Sequence, residues 1–131
     1  MKYAYIIGPY GQNLELNRSE KQNTLVAEHL AKKAFSEGYV PIVPHPMIFS
    51  GIFGNDSNPE DRKKGERATL AIMSAFMKLQ NCELWVIGDY IYNSWIFSSG
   101  TKKELDLWKR KRGVQDIKYF LYPALYIESL K

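Results

Sequence analysis

The residues of this 131-residue chain best suited to chemistry are Ser98-Ser99-Gly100-Thr101-Lys102-Lys103-Glu104-Leu105, a short loop beyond Leu84-Trp85-Val86-Ile87-Gly88-Asp89. An apolar run, a Gly-Asp stop and then Ser-x-Gly-Thr-x-x-Glu predict a strand, a loop and the opening of a helix. In open α/β sheets, ligands bind beyond the carboxyl ends of the strands. Glu104 is expected in the first turn of that helix, where unpaired N–H groups and the positive end of the macrodipole favour an ionised carboxylate. A positioned, ionised carboxylate is what the nucleophile of covalent glycosyl transfer has to be. The same residues also form a T-x-x-E capping box, with Thr101 capping the N3 amide and Glu104 reaching back to the cap's own N–H. On this segment alone the cap is the commoner pattern.

The elements that must position this segment follow from periodicity. Lys2 to Ile7, rich in Tyr and Ile with little alternation, reads as a central parallel strand buried on both faces. It runs into Gly8-Pro9-Tyr10-Gly11-Gln12-Asn13, whose glycines and proline allow a tight turn and close backbone approach to a ligand. Gly8, Pro9, Tyr10 and Asn13 are therefore candidate binding residues, although the loop is neither G-x-G-x-x-G nor a Walker loop. From about Glu20 to Glu37, the residues Leu25, Val26, His29, Leu30, Ala34 and Phe35 recur at helical spacing and Gly38 supplies the stop. His29 reads as packed or half-exposed. Tyr39 to Pro44 is a second short strand whose prolines point to an edge or near-edge position.

His45 follows at that strand's carboxyl end, between Pro44 and Pro46, where a ligand contact and a rigid turn are equally consistent with the residues. Ile48 to Asn58 is a loop carrying Phe49 and Phe53, and loops of this length are often lids or binding loops. A second long helix runs from Pro59 to about Gln80, with Ala68, Ala71, Ile72, Ala75, Phe76 and Leu79 on its buried side. Arg62, Lys63 and Arg67 in its first half read as a phosphate clamp or as solvated charges. Glu83 to Ile87 is the third strand, residues 99–112 the third helix, and Ile117 to Tyr122 a fourth strand. This βαβ alternation predicts an α/β fold: a flavodoxin-like doubly wound parallel sheet of four to five strands with flanking helices, in the order 2-1-3-4. That order sets the loops after the first and third strands side by side.

Composition narrows the class further. The chain is long enough for one domain with a single core, and 45% hydrophobic and 14% aromatic residues describe an ordered globular protein. One cysteine, Cys82, excludes an intramolecular disulfide and a cysteine-rich metal site; no metal or cofactor is expected. The opening apolar run is too short for a signal peptide, and no stretch reaches membrane-span length, so a reducing cytoplasm is the default and no membrane partner is expected. Much of the +4 net charge lies in Lys102, Lys103, Lys109, Arg110, Lys111 and Arg112. A solvated helix face with cations near its C-terminus accounts for this cluster better than nucleic acid does, since Trp108 is its only interleaved aromatic.

Tyr5-Ile6-Ile7-Gly8-Pro9-Tyr10, Pro44-His45-Pro46, Cys82 to Asp89 and Ser98 to Glu104 resemble the nucleoside 2-deoxyribosyltransferase superfamily, which includes 2'-deoxynucleoside 5'-monophosphate N-glycosidases and many short bacterial and phage relatives. The resemblance runs nearly to Tyr122. It implies that Glu104 is the nucleophile attacking the anomeric carbon, that Tyr5 hydrogen-bonds and orients it, and that Asp89 is the acidic residue near sugar or base. The transferase pattern D-x-G-T-x-x-E has an aspartate where this chain has Ser98. The nucleotide N-glycosidases are similar to S-x-G-x-x-x-E, whose serine contacts a 5'-phosphate. Ser98, Ser99, Gly100 and Thr101 are accordingly expected to bind substrate, with Arg62 or Arg67 assisting Ser98 at a phosphate. The departing base has Asp89 or His45 as visible proton donors. The resemblance implies a nucleoside or nucleotide N-glycosidase or deoxyribosyltransferase, with a catalytically silent nucleotide-binding protein as the alternative. It also implies a homo-oligomer, for which Trp95, Phe97 and the apolar tail from Pro123, with Leu125, Tyr126 and Ile127, offer contact surface.

Overall fold

In the computed structural model, which describes residues 1–9, 19–44, 58–91 and 94–122, the elements run β1 (Lys2–Ile7), α1 (Glu20–Ser36), β2 (Tyr39–Ile42), α2 (Pro59–Phe76), β3 (Cys82–Ile91), β4 (Ser94–Ile96), α3 (Ser99–Arg112) and β5 (Ile117–Leu121). The proposed lid and the tail from Pro123 lie outside the described residues, apart from Asn58. β1 is parallel to β2 on one side and β3 on the other, and β5 is parallel to β3. The parallel part is thus ordered β2-β1-β3-β5, the expected 2-1-3-4, and the fold is flavodoxin-like α/β. β2 is an edge strand, so Pro41 forgoes an amide hydrogen bond where it costs least.

Strand alternation divides the core into two layers. Ala4, Ile6, Trp85 and Ile87 meet Val26, Leu30 and Ala34 of α1. Tyr5, Ile7, Cys82, Leu84 and Val86 meet Met73 of α2 and Leu105 and Trp108 of α3. α1 is capped by a Ser19–Gln22 box, with Gln22 N–H donating to Ser19 Oγ at 3.2 Å and Ser19 N–H to Gln22 Oε1 at 2.9 Å. Gly38, at φ +90°, terminates it as expected. Asn58 caps α2 ahead of Pro59. Among the described residues no helix is long and apolar enough to cross a membrane.

Four expectations are corrected. Gly88-Asp89 does not stop the third strand: β3 continues to Ile91 and pairs antiparallel with β4, Asp89 opposite Ile96. Gly88 is needed because a Cβ there would lie 2.6 Å from the Phe97 ring. α2 ends at Phe76, and its buried stripe is Gly65, Thr69 and Met73, whereas Ala71, Ala75 and Leu79 face outward. The Thr69 hydroxyl is accommodated in that stripe by donating to the Gly65 carbonyl at 2.8 Å. Phe35 is 73% exposed, because it lies about 100° around the helix from buried Ala34. Phe97, expected at an intermolecular surface, is 9% exposed and packs inside.

Candidate functional site

The site is built where α2 and α3 cover the carboxyl half of β1. Tyr5 is fully buried on that face, and its hydroxyl donates to the Thr69 carbonyl of α2 at 3.2 Å. Its ring sits 5.9 Å from that of Phe76. Burial, then the nearby charge of Glu104, then Cys82 hold the Tyr5 hydroxyl well above the usual phenol range. Glu104 is itself 5% exposed, on the buried stripe of α3 with Thr101, Leu105 and Trp108. Tyr5 and Glu104, far apart in sequence, therefore face one buried region and interact electrostatically. Thr69, which the apolar pattern of α2 did not single out, anchors Tyr5 from a third element.

The head of α3 differs from both readings of its sequence. Ser98 is the N-cap: its Oγ accepts from Thr101 N–H at 3.3 Å and lies 2.6 Å from Thr101 Oγ1. Thr101 is thus at the third helical position and Glu104 at the sixth, so Glu104 belongs neither to a capping box nor to the first turn. The macrodipole argument for its charge falls with that, since the effect fades within one turn. What sets Glu104 apart is burial beside Tyr5. Ser98 and Thr101 hold each other, Ser99 is exposed, and a Cβ at Gly100 would meet nothing within 4 Å among the described residues.

The other expected residues spread around this centre. Gly8 and Pro9 are buried at the end of β1, and a Cβ on Gly8 would come 2.8 Å from Ile87 Cβ, so packing against β3 already requires the glycine. Asp89 is half-buried, and the alternation that turns Trp85 and Ile87 toward α1 turns it to the face opposite Tyr5. Arg62 and Arg67 are exposed on α2, and Arg62 Nε lies 3.8 Å from Glu66 Oε1. Tyr10, Asn13 and His45 lie outside the described residues. His29 is half-buried, its Nδ1 2.8 Å from the Tyr122 hydroxyl. Among the described residues, no group of three His, Cys, Asp or Glu side chains is arranged to hold a metal ion. A concavity lined by Lys21, Thr24, Leu25 and Glu28 opens on α1, across the sheet from Glu104, and shares no residue with this site.

No curated protein and no solved structure matches the chain. The model of a domain of unknown function, DUF7768, matches residues 2–120, from the first residue of β1 to the last but one of β5, and the chain belongs to that family.

Proposed function

We propose that this protein cleaves the N-glycosidic bond of a nucleoside or nucleotide, with Glu104 as nucleophile and Tyr5 as its neighbouring hydroxyl. The observation that carries this reading is Glu104, buried at 5% exposure on the inner stripe of α3, on the side of the sheet where Tyr5 is also buried. A carboxylate held away from bulk water beside a phenol suits attack on an anomeric carbon. In that step a Glu104 Oε–C1' bond forms as the C1'–N bond breaks, and the electron pair leaves with the base, which takes up a proton. Water then cleaves the glycosyl ester and restores the carboxylate, or an acceptor base takes the sugar instead. Of the two expected donors of the proton to the base, Asp89 turns to the opposite face of the sheet, which leaves His45 as the candidate.

The contrasting reading is a nucleotide-binding protein of the same fold without turnover. The Tyr5 proton engaged by the Thr69 carbonyl and the Ser98 hydroxyl engaged in the helix cap favour it. Chromatography after incubation with a panel of nucleosides and nucleotides separates the two. Free base from the wild-type protein, lost by several orders of magnitude in a folded Glu104→Gln variant, is the expected result, because an amide cannot form the ester. Ligand binding with no base released under any condition would leave only the binding protein. In the same reading the protein is a homo-oligomer, and exposed Trp95, Tyr119 and Leu121 offer it a surface, with Trp95 and Tyr119 rings 5.4 Å apart.

A further inference from the structure

Glu66 of α2 stands between two cations that the proposed bond cleavage does not use. Its Oε1 lies 3.8 Å from Arg62 Nε on the same helix, and its Oε2 lies 3.6 Å from Lys103 Nζ on α3. The spacing of Arg62, Glu66, Thr69 and Met73 puts them along one side of α2, and the Thr69 carbonyl in that row holds the Tyr5 hydroxyl. Glu66 is therefore one turn from the Tyr5 anchor toward the start of α2, and Lys103 adjoins Glu104. A carboxylate with one oxygen toward each cation has the sign and reach of a ligand oxyanion held in the same place. Arg62 is 52% exposed, Lys103 65% and Glu66 36%, so a ligand arriving from solvent meets all three. Ser98, the other expected phosphate contact, has its hydroxyl engaged by Thr101.

We infer that Glu66 is a built-in anion occupying the Arg62–Lys103 position, and that it sets the ligand class of the site toward uncharged nucleosides and against their 5'-monophosphates. This rests on reading the Tyr5–Glu104 region as a nucleoside site. A monophosphate brings about −2 charge to a place where Glu66 already offsets one of the two positive charges and occupies the space between them, so the attraction left for a phosphate is reduced. Each exposed ion pair shifts an equilibrium only about 1.5-fold to fivefold, so the preference is graded.

Glu66→Gln removes the charge and keeps the side chain's length. In a titration with inorganic phosphate followed by NMR at Arg62 and Lys103, the wild-type protein is expected to respond weakly and the variant to bind about threefold to tenfold more tightly. Adding Lys103→Gln should abolish that gain. With a deoxynucleoside and its 5'-monophosphate, calorimetry should show the nucleotide gaining by the same factor while nucleoside affinity stays constant. An unchanged phosphate response in folded Glu66→Gln overturns the inference, however nucleosides behave. Wild-type phosphate binding tighter than its binding of the deoxynucleoside, and lost in Lys103→Gln, also overturns it, and needs no Glu66 variant to fold. A phosphate gain in Glu66→Gln with no nucleoside bound by either protein removes the reading of the Tyr5–Glu104 region as a nucleoside site, and with it the assigned ligand class.

Discussion

Tyr5 has one proton and two neighbours to which it matters. It donates that proton to the Thr69 carbonyl, while the charge of Glu104 acts on the same oxygen. Tyr5→Phe removes a hydrogen bond inside the core and leaves the ring packing in place. The lost bond should cost about 1–2 kcal/mol of stability, a few degrees in Tm. If the phenol also orients Glu104 during reaction, base release falls about tenfold to a hundredfold as well, which is the expected outcome. Melting and turnover measured on the same preparation test this. A lower Tm with unchanged turnover would leave Tyr5 as a tether for α2 alone. Tyr5 and Glu104 were paired at the level of sequence only through the resemblance to the deoxyribosyltransferase superfamily, because a tyrosine in a strand and a glutamate near a helix start are each common by themselves. Thr69 was not legible there, because its part in the site is played by a backbone carbonyl, which carries no side-chain signature.

At the scale of elements, the helix heads show where sequence reading stops. Ser98-x-x-Thr101 and Thr101-x-x-Glu104 overlap, and both satisfy the spacing of a helix cap. The choice is made by tertiary structure: β4 ends at Ile96 and the Phe97 ring is buried, so the chain leaves the core at Ser98 and the helix begins there. The β3–β4 hairpin was likewise hidden, since a Gly-Asp pair is a common strand stop, and only the Phe97 ring packed over Gly88 explains why the strand continues through it. Gly88→Ala tests that account. The new methyl group would be 2.6 Å from Phe97 Cε1 and 3.1 Å from the Ile96 carbonyl, with no flexible chain end to yield. Overpacking of this kind should cost about 1–3 kcal/mol, read as a shift in the denaturation midpoint. Phe97→Leu in the same chain should recover part of it. Full stability in Gly88→Ala would mean that the hairpin tolerates a wider spacing than the packing allows.

For the molecule as a whole, strands far apart in sequence are joined at the amino end of the sheet by Glu83. The Tyr39 hydroxyl of β2 donates to Glu83 Oε2 at 2.8 Å, Trp85 Nε1 donates to Oε1 at 3.0 Å, and Lys118 Nζ of β5 is 3.1 Å from Oε1. Burial alone would raise the Glu83 carboxyl, but bonds from Trp85, Tyr39 and Lys118 outweigh it and hold the group below its ordinary value. The bond to Glu83 raises the Tyr39 hydroxyl; burial opposes the Lys118 charge, yet Glu83 and Tyr39 raise that group as well. Burial also pushes the Cys82 thiol up to about 11. A lowered carboxyl contributes stability that is complete above its unfolded value of about 4.3 and fades as pH falls through the folded one. Raised Tyr, Lys and Cys groups contribute stability that is complete below their unfolded values, the lowest being the thiol at about 8.5, and fades as pH rises toward the folded ones. Thermal stability should therefore be flat from about pH 5 to 8 and fall on both sides. Glu83→Gln should lower the Tm by a few degrees at pH 7 and approach the wild type as pH falls through the lowered folded value of the wild-type carboxyl. Cys82→Ala should flatten the first part of the alkaline fall without changing the acid side, although the smaller side chain lowers the whole curve. Wild-type and Glu83→Gln curves that stay parallel through the whole acid fall would show that the carboxylate contributes nothing to the sheet beyond its packing.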